Sequence, residues 1–347
     1  MKFRLSFTFY PLLLSFIALP FVPRHLSINS SNWIPTGQET LTDLKDRNIK
    51  MPSFPGIGAE YWFNTGDTLN LKGKVVLVDF WDYTCVNCIR TLPYLKEWYN
   101  RYKNDDLVIL GVHSPEFEFE KERGNVAEAI RKFDIDYPIV MDNDFKIWDR
   151  FGNKYWPAKY LFDKDGTLRY IHFGEGEYVN FEEMVQKLLK EKTPDVTLPP
   201  VMEPIRATDM PGAVCYRTTP ETYLGYERGS IGNKEGYSHN EVVSYSEPTD
   251  LDKDKFYLVG KWDIEPQFVR YAGNGNDGKL IINYVAAEAN LVIRPDIGAN
   301  DQHNEAFKVY VYQDGKPVPK EDWSTDLQCD SDGRTYATVN AARMYYL

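Results

Sequence analysis

The chain has 347 residues, 43% of them apolar, with 51 acidic against 40 basic side chains and a net charge of −11 at pH 7. That length and apolar share supply two hydrophobic cores, and a total of four cysteines excludes a disulfide-dense scaffold. The acidic residues are spread along the chain and no basic stripe accompanies them, which excludes nucleic acid as a partner.

Lys2 and Arg4 precede an apolar stretch over residues 5–22, interrupted by Pro11 and Pro20. Positive residues ahead of a hydrophobic segment hold the N-terminus inside and send the rest of the chain out. The segment offers no clear small-x-small cleavage site and no cysteine for a lipid, and its length is near the ~20 residues that cross a bilayer. Residues 1–27 are therefore expected to be a membrane anchor, with a cleaved signal peptide as the alternative. The chain beyond is placed in the periplasm or cell envelope. Residues 28–54 follow as a polar lead containing Asn29, Ser30, Ser31 and Asn32.

A near-continuous apolar run from Val75 to Trp81, broken only by Asp79, reads as a buried strand. It leads through Asp82, Tyr83 and Thr84 into Cys85-Val86-Asn87-Cys88, and an amphipathic helical pattern follows at once. Both sulfurs then sit at a helix N-terminus, where unpaired N–H groups and the positive end of the dipole favour a thiolate. Cys85 is expected to attack and Cys88 to resolve the mixed disulfide. A structural zinc site would need two more ligands, and Cys215 and Cys329 are distant and solitary, so no metal is expected. A plain structural bridge is the other reading. Asp79, flanked by Val78 and Phe80, is expected to be buried with a raised pKa. Pro93 falls within the helical pattern, where a proline costs about 3 kcal/mol and bends the helix.

A strand over residues 107–112 is followed by His113-Ser114-Pro115-Glu116-Phe117-Glu118-Phe119-Glu120, a helix around 126–133 and a strand over 138–141. Glu116 is a candidate for tuning the cysteine pair, against the plain reading of a solvated acidic loop. His113 has no partner histidine nearby with which to bind metal. Tyr155-Trp156-Pro157-Ala158-Lys159-Tyr160 places a proline just before the next strand, and Asp163-Lys164-Asp165-Gly166 turns that strand into a return strand over 167–172. A helix is expected to end near Lys190.

These motifs resemble the thioredoxin superfamily over residues 55–192. The resemblance implies a mixed β-sheet flanked by helices and makes Asp79 the buried acid that relays a proton to or from the resolving thiol. It places Trp81, Trp156 and a cis Pro157 at the substrate site. The insert after the strand over 107–112 resembles the TlpA/redoxin branch. Thr84-Cys85-Val86-Asn87-Cys88, the His113–Glu120 run and the Tyr155–Tyr160 run together resemble the soluble C-terminal region of DipZ-type thiol reductases. That likeness implies a second domain akin to a carbohydrate-binding module. It also implies a separate DipZ/CcdA-type membrane electron carrier as redox partner, since this chain lacks a multi-span domain. No cofactor is implied.

Residues 193–212 carry Pro194, Pro199, Pro200 and Pro204 and read as an extended, semi-stiff spacer. Beyond it, short strand-like runs over 255–260, 279–284, 290–294 and 307–312, with turns at Asp314-Gly315 and Asp332-Gly333, predict an all-β jelly-roll-like sandwich over 213–347. The run over 343–347 reads as a strand cut off at the chain end, which would leave an exposed edge. Trp262, Tyr271 and Trp323 could stack on a glycan or fill the sandwich core, and Cys215 could pair with Cys329. The whole predicts an extracytoplasmic oxidoreductase that reduces protein disulfides. A disulfide-forming oxidase or isomerase, a glycan-binding surface protein and a peroxidase stand as alternatives.

Overall fold

The computed structural model describes residues 44–54, 56–65, 69–210, 213, 217–239, 241–275, 278–295 and 306–347 in full, and residues 2–8 as backbone. It divides into two compact units, one holding the cysteine pair and the other a β-sandwich joined by the N-terminal strand.

β1 (Lys2–Thr8) belongs to the second unit. The first unit is built from β2 (Trp62–Phe63), β3 (Val75–Trp81), α1 (Val86–Tyr102), β4 (Leu107–His113), α2 (Arg123–Phe133), β5 (Ile139–Met141), α3 (Lys146–Phe151), β6 (Ala158–Phe162), β7 (Leu168–Phe173) and α4 (Tyr178–Lys192). Its sheet runs β2-β5-β4-β3-β6-β7, with β3, β4 and β5 parallel and β2, β6 and β7 antiparallel to their neighbours. This is the mixed, helix-flanked sheet expected. Both faces are covered, so β3 is buried at every position and could not show an in–out alternation in its sequence. The period of two survives in what each residue touches. Val75, Leu77 and Trp81 pack with α1, α2 and α4, while Val76, Val78 and Phe80 pack with α3.

Two segments expected outside this unit are part of it. Leu44 is buried and its N–H donates to the Arg169 carbonyl; the Leu168 N–H donates to Ile49, so the end of the polar lead runs along β7. The Pro-rich stretch is not a free spacer. Leu198 and Met202 pack against the α1 face core, Gln186 and Arg101 donate to the Pro199 and Pro200 carbonyls, and the Met202 N–H donates to buried Glu182 at 2.9 Å. Ile205 N–H then donates to the Tyr94 hydroxyl, which itself donates to Asp209. Proline density forbids helix and sheet but leaves the carbonyls free, and α1 and α4 supply the donors.

The second unit comprises β8 (Val242–Tyr245), β9 (Phe256–Ile264), β10 (Val269–Tyr271), β11 (Lys279–Asn283), β12 (Asn290–Ile293), β13 (Phe307–Gln313), β14 (Lys316–Pro317), β15 (Leu327–Cys329), β16 (Thr335–Val339) and β17 (Arg343–Tyr346). The larger sheet runs β10-β9-β11-β1-β13-β16-β15, and β12 pairs with β17 in a second sheet. Its core is Phe256, Leu258, Trp262, Val309, Val311, Ala337, Val339 and Tyr345. β1 lies between β11 and β13 and is antiparallel to both. Residues 5–8 are thus strand, where a membrane segment was expected over 5–22; residues 9–22 lie outside the described residues. The run over 343–347 forms β17, with β12 as its one strand neighbour among the described residues, which leaves its other edge without a strand.

Candidate active site

β3 delivers the chain into Asp82, Tyr83 and Thr84, and α1 begins immediately after Cys85. Cys85 is the N-cap: its backbone is extended and its Sγ accepts the Cys88 N–H at 3.1 Å, so the sulfur occupies the place a capping oxygen would take. Cys85 and Cys88 are joined in a disulfide with Cα atoms 5.2 Å apart. Cys85 keeps 8% of its surface and Cys88 none, so of the two residues Cys85 alone reaches the surface. Pro93 lies inside α1 as expected.

Asp79 is fully buried on the α1 side of the sheet, between Gly111 of β4 and Lys159 of β6 in register. At Gly111 a Cβ would overlap the Ile139 side chain and come within 3.1 Å of Trp81, so the glycine makes room for those two side chains beside Asp79. Neither Asp79 oxygen has a hydrogen-bond partner among the described residues, and the Lys159 ammonium stands 3.8 Å away. Burial pushes the Asp79 pKa up to about 7, partly offset by Lys159, while burial pulls that of Lys159 down. Lys159 Nζ also donates to the Gly174 carbonyl at 3.4 Å. Its role was not foreseen, although a lysine in the otherwise apolar run Ala158–Phe162 is itself a signal of a buried partner.

The Trp156–Pro157 bond is cis, Pro157 is buried and its carbonyl accepts the Gly174 N–H. Trp156 is half-buried; its indole N–H donates to the Ser114 carbonyl at 3.0 Å and its ring lies 4.3 Å from Trp148. Tyr155 beside it is 53% exposed and packs on Phe173. Trp81, expected at the substrate surface, has no exposed surface and packs edge-on against His113. A residue of a strand covered on both faces cannot reach a substrate, and Trp81 instead supports the loop from below.

Glu116 is half-buried and contributes its backbone N–H to Glu120 Oε2 at 2.7 Å. The carboxyl group that lies under the cysteine loop is that of Glu120, together with Asp82. Both sit in stretches that read as polar loop, so their burial had no periodicity to betray it. Among the described residues no group of side chains could hold a metal ion. Cys329 is exposed and free, and Cys215 lies outside the described residues.

Trp262, Tyr271 and Trp323 all join the sandwich core. Trp262 is buried with its N–H on the Val259 carbonyl, and Trp323 donates to the Val318 carbonyl.

The AhpC/TSA family model matches residues 50–171, and that of the thioredoxin-like C-terminal domain matches residues 219–347. Protein DipZ of Mycobacterium bovis and that of Mycobacterium tuberculosis are each 39% identical over 275 residues, 77% of this chain and 37% of theirs. The chain thus spans little more than a third of the length of those relatives. A solved thioredoxin-like protein in its oxidised form aligns with 44% of this chain and 98% of its own, at 30% identity and a TM-score of 0.37. The thiol–disulfide oxidoreductase YkuV of Bacillus subtilis is 33% identical over 145 residues, which span 41% of this chain and 97% of that protein.

The chain belongs to the thioredoxin-like thiol–disulfide oxidoreductases. In an oxidoreductase of this family the geometry has a direct chemical meaning. One accessible sulfur at a helix N-terminus is paired with one inaccessible sulfur, and a buried acid of pKa about 7 lies on the same side of the sheet.

Proposed function

We propose that this chain is an extracytoplasmic protein-disulfide reductase working by dithiol–disulfide exchange. The observation that carries the reading is the Cys85–Cys88 disulfide capping α1, with only Cys85 accessible. In the reduced form the Cys85 thiolate attacks a substrate disulfide, forming a mixed disulfide and releasing one substrate thiolate. Cys88 loses its proton to the Asp79 carboxylate, and its thiolate attacks Cys85 Sγ. The second substrate sulfur leaves as a thiolate, and the chain is left with the Cys85–Cys88 disulfide. Two electrons pass to the substrate and must be restored by a dithiol carrier. A membrane carrier of the DipZ/CcdA type fits that need.

Trp156, the cis Pro157 and exposed Tyr155 are the proposed docking edge for a protein substrate. Export rests on Lys2, Arg4 and the apolar residues that follow. With 2–8 in β1, residues 9–22 alone are short of the ~20 that cross a bilayer. Anchoring by this segment would therefore require β1 to leave the sheet, and protease protection of the N-terminus in membranes would reveal it. The core positions of Trp262 and Trp323 favour a structural sandwich over a glycan-binding one.

The test is the midpoint potential of the Cys85–Cys88 pair, together with Cys88→Ser. A potential below about −200 mV fits a reductant fed by a dithiol carrier, whereas one near about −120 mV would make the chain an oxidant of its targets. Cys88→Ser should accumulate mixed disulfides through Cys85. Their absence, with insulin reduction unimpaired, would overturn the assigned roles.

A further inference from the structure

A second buried acid group lies under the active-site loop and has no part in the scheme above. Asp82 and Glu120 have no exposed surface, and Thr84, next to Cys85, is almost as deeply buried. The Thr84 hydroxyl lies 3.2 Å from Asp82 Oδ2 and within a short hydrogen bond of Glu120 Oε1. A hydroxyl has one hydrogen and can donate it to one of these oxygens. For both contacts to be hydrogen bonds, one of them takes its hydrogen from a carboxyl group. The remaining oxygens have their own donors: Glu120 Oε2 accepts the Glu116 and Phe117 N–H groups, at 2.7 and 2.6 Å, and Asp82 Oδ1 accepts that of Tyr83 at 2.6 Å.

The groups facing the pair are His113 of β4, with Nε2 3.1 Å from Asp82 Oδ1 but not aligned for a hydrogen bond, and Tyr83, stacked on His113 at 5.5 Å. Among the described residues neither carboxyl group has a lysine or arginine within ion-pair distance. Burial and the neighbouring Asp82 both push the Glu120 pKa well up.

We propose that Asp82 and Glu120 form a proton-sharing pair which, through the Thr84 hydroxyl, positions Cys85 and sets its reactivity. The proposal rests on the reading of Cys85 as the attacking thiol. While one proton is shared, the pair carries a single negative charge. When that proton leaves, a second negative charge appears behind the loop and opposes the thiolate that the α1 N-terminus favours. The pair is therefore a positioning element of the cysteine site, separate from Asp79, which lies in β3 three residues earlier.

The test is the pH profile of Cys85 alkylation by iodoacetamide in the reduced full chain, read on the Cys85 peptide so that Cys215 and Cys329 do not interfere. Wild type should show inflections from the thiol, from Asp79 and from the pair. Glu120→Gln keeps the size and the hydrogen bonds of the side chain. It should remove only the third inflection and speed alkylation above neutral pH by about three- to tenfold, the equivalent of half to one unit in the thiol pKa. Asp79→Asn should remove a different inflection. Thr84→Val should also abolish the third inflection, and Thr84→Ser should restore it.

A protonated-carboxyl infrared band in the oxidised wild type, persisting at neutral pH and lost in Glu120→Gln, is expected whether or not Thr84→Val folds. An unchanged alkylation profile in folded Glu120→Gln, or no such band in wild type, would overturn the proposal. Alkylation reads the thiol itself, so failure to reduce insulin would sink the proposed function and leave this result standing.

Discussion

Asp79 illustrates how a single side chain can cost stability and serve chemistry. Its carboxyl group titrates near 3.8 when free and near 7 in the folded chain. A folded value above the unfolded one means that its contribution to stability is complete below about pH 3.8 and lost as pH rises through about 7. Denaturant titrations at pH 5 and pH 8 should show wild type losing roughly 2–3 kcal/mol more than Asp79→Asn over that interval, at about 1.4 kcal/mol per unit. Equal losses in the two proteins would mean that Asp79 is not held protonated. The same substitution removes the proposed proton acceptor for Cys88, so resolution of the mixed disulfide should slow most where the wild-type carboxylate is ionised.

Among the elements, the segment after α4 departs furthest from what its composition predicts. Glu182 of α4 is 1% exposed and accepts from the Tyr102 hydroxyl, from Arg101 and from the Met202 N–H, so one carboxylate ties α1, α4 and the Pro-rich strap together. Arg206 extends the tie by pairing with Glu175 and Asp209. Glu182→Ala leaves buried donors without an acceptor and should cost roughly 2–4 kcal/mol. Limited proteolysis should then cut within residues 198–206, and an unaltered cleavage pattern would mean that apolar packing by Leu198 and Met202 is enough to hold the strap. The β7 edge is fixed in a similar way by Arg169, whose guanidinium is 1% exposed and forms two parallel bonds to Glu191 at 2.6 and 2.9 Å.

At the scale of the whole molecule, the two units have separate cores and can be perturbed one at a time. Val309 of β13 is fully buried in the sandwich, and Val309→Ala should destabilise that unit by roughly 2 kcal/mol. The rate of thiol exchange should not change, and a change would indicate that the sandwich acts on the cysteine site. The sequence by itself determined the cysteine pair at a helix start, the buried acid in β3, the proline before β6 and the sandwich strands β9, β11, β12, β13 and β17. Each of these is a local property: a short motif, a charge within an apolar run, or a two-residue turn such as Asp314-Gly315, both with positive φ. Only the tertiary structure decided that Trp81 faces the core, that Lys159 answers Asp79, that Glu120 is buried against Thr84, and that β1 fills the place between β11 and β13. Those depend on contacts between residues far apart in the chain, such as Thr84 with Glu120 or Phe3 with Gln313, and no window of neighbouring residues carries that information.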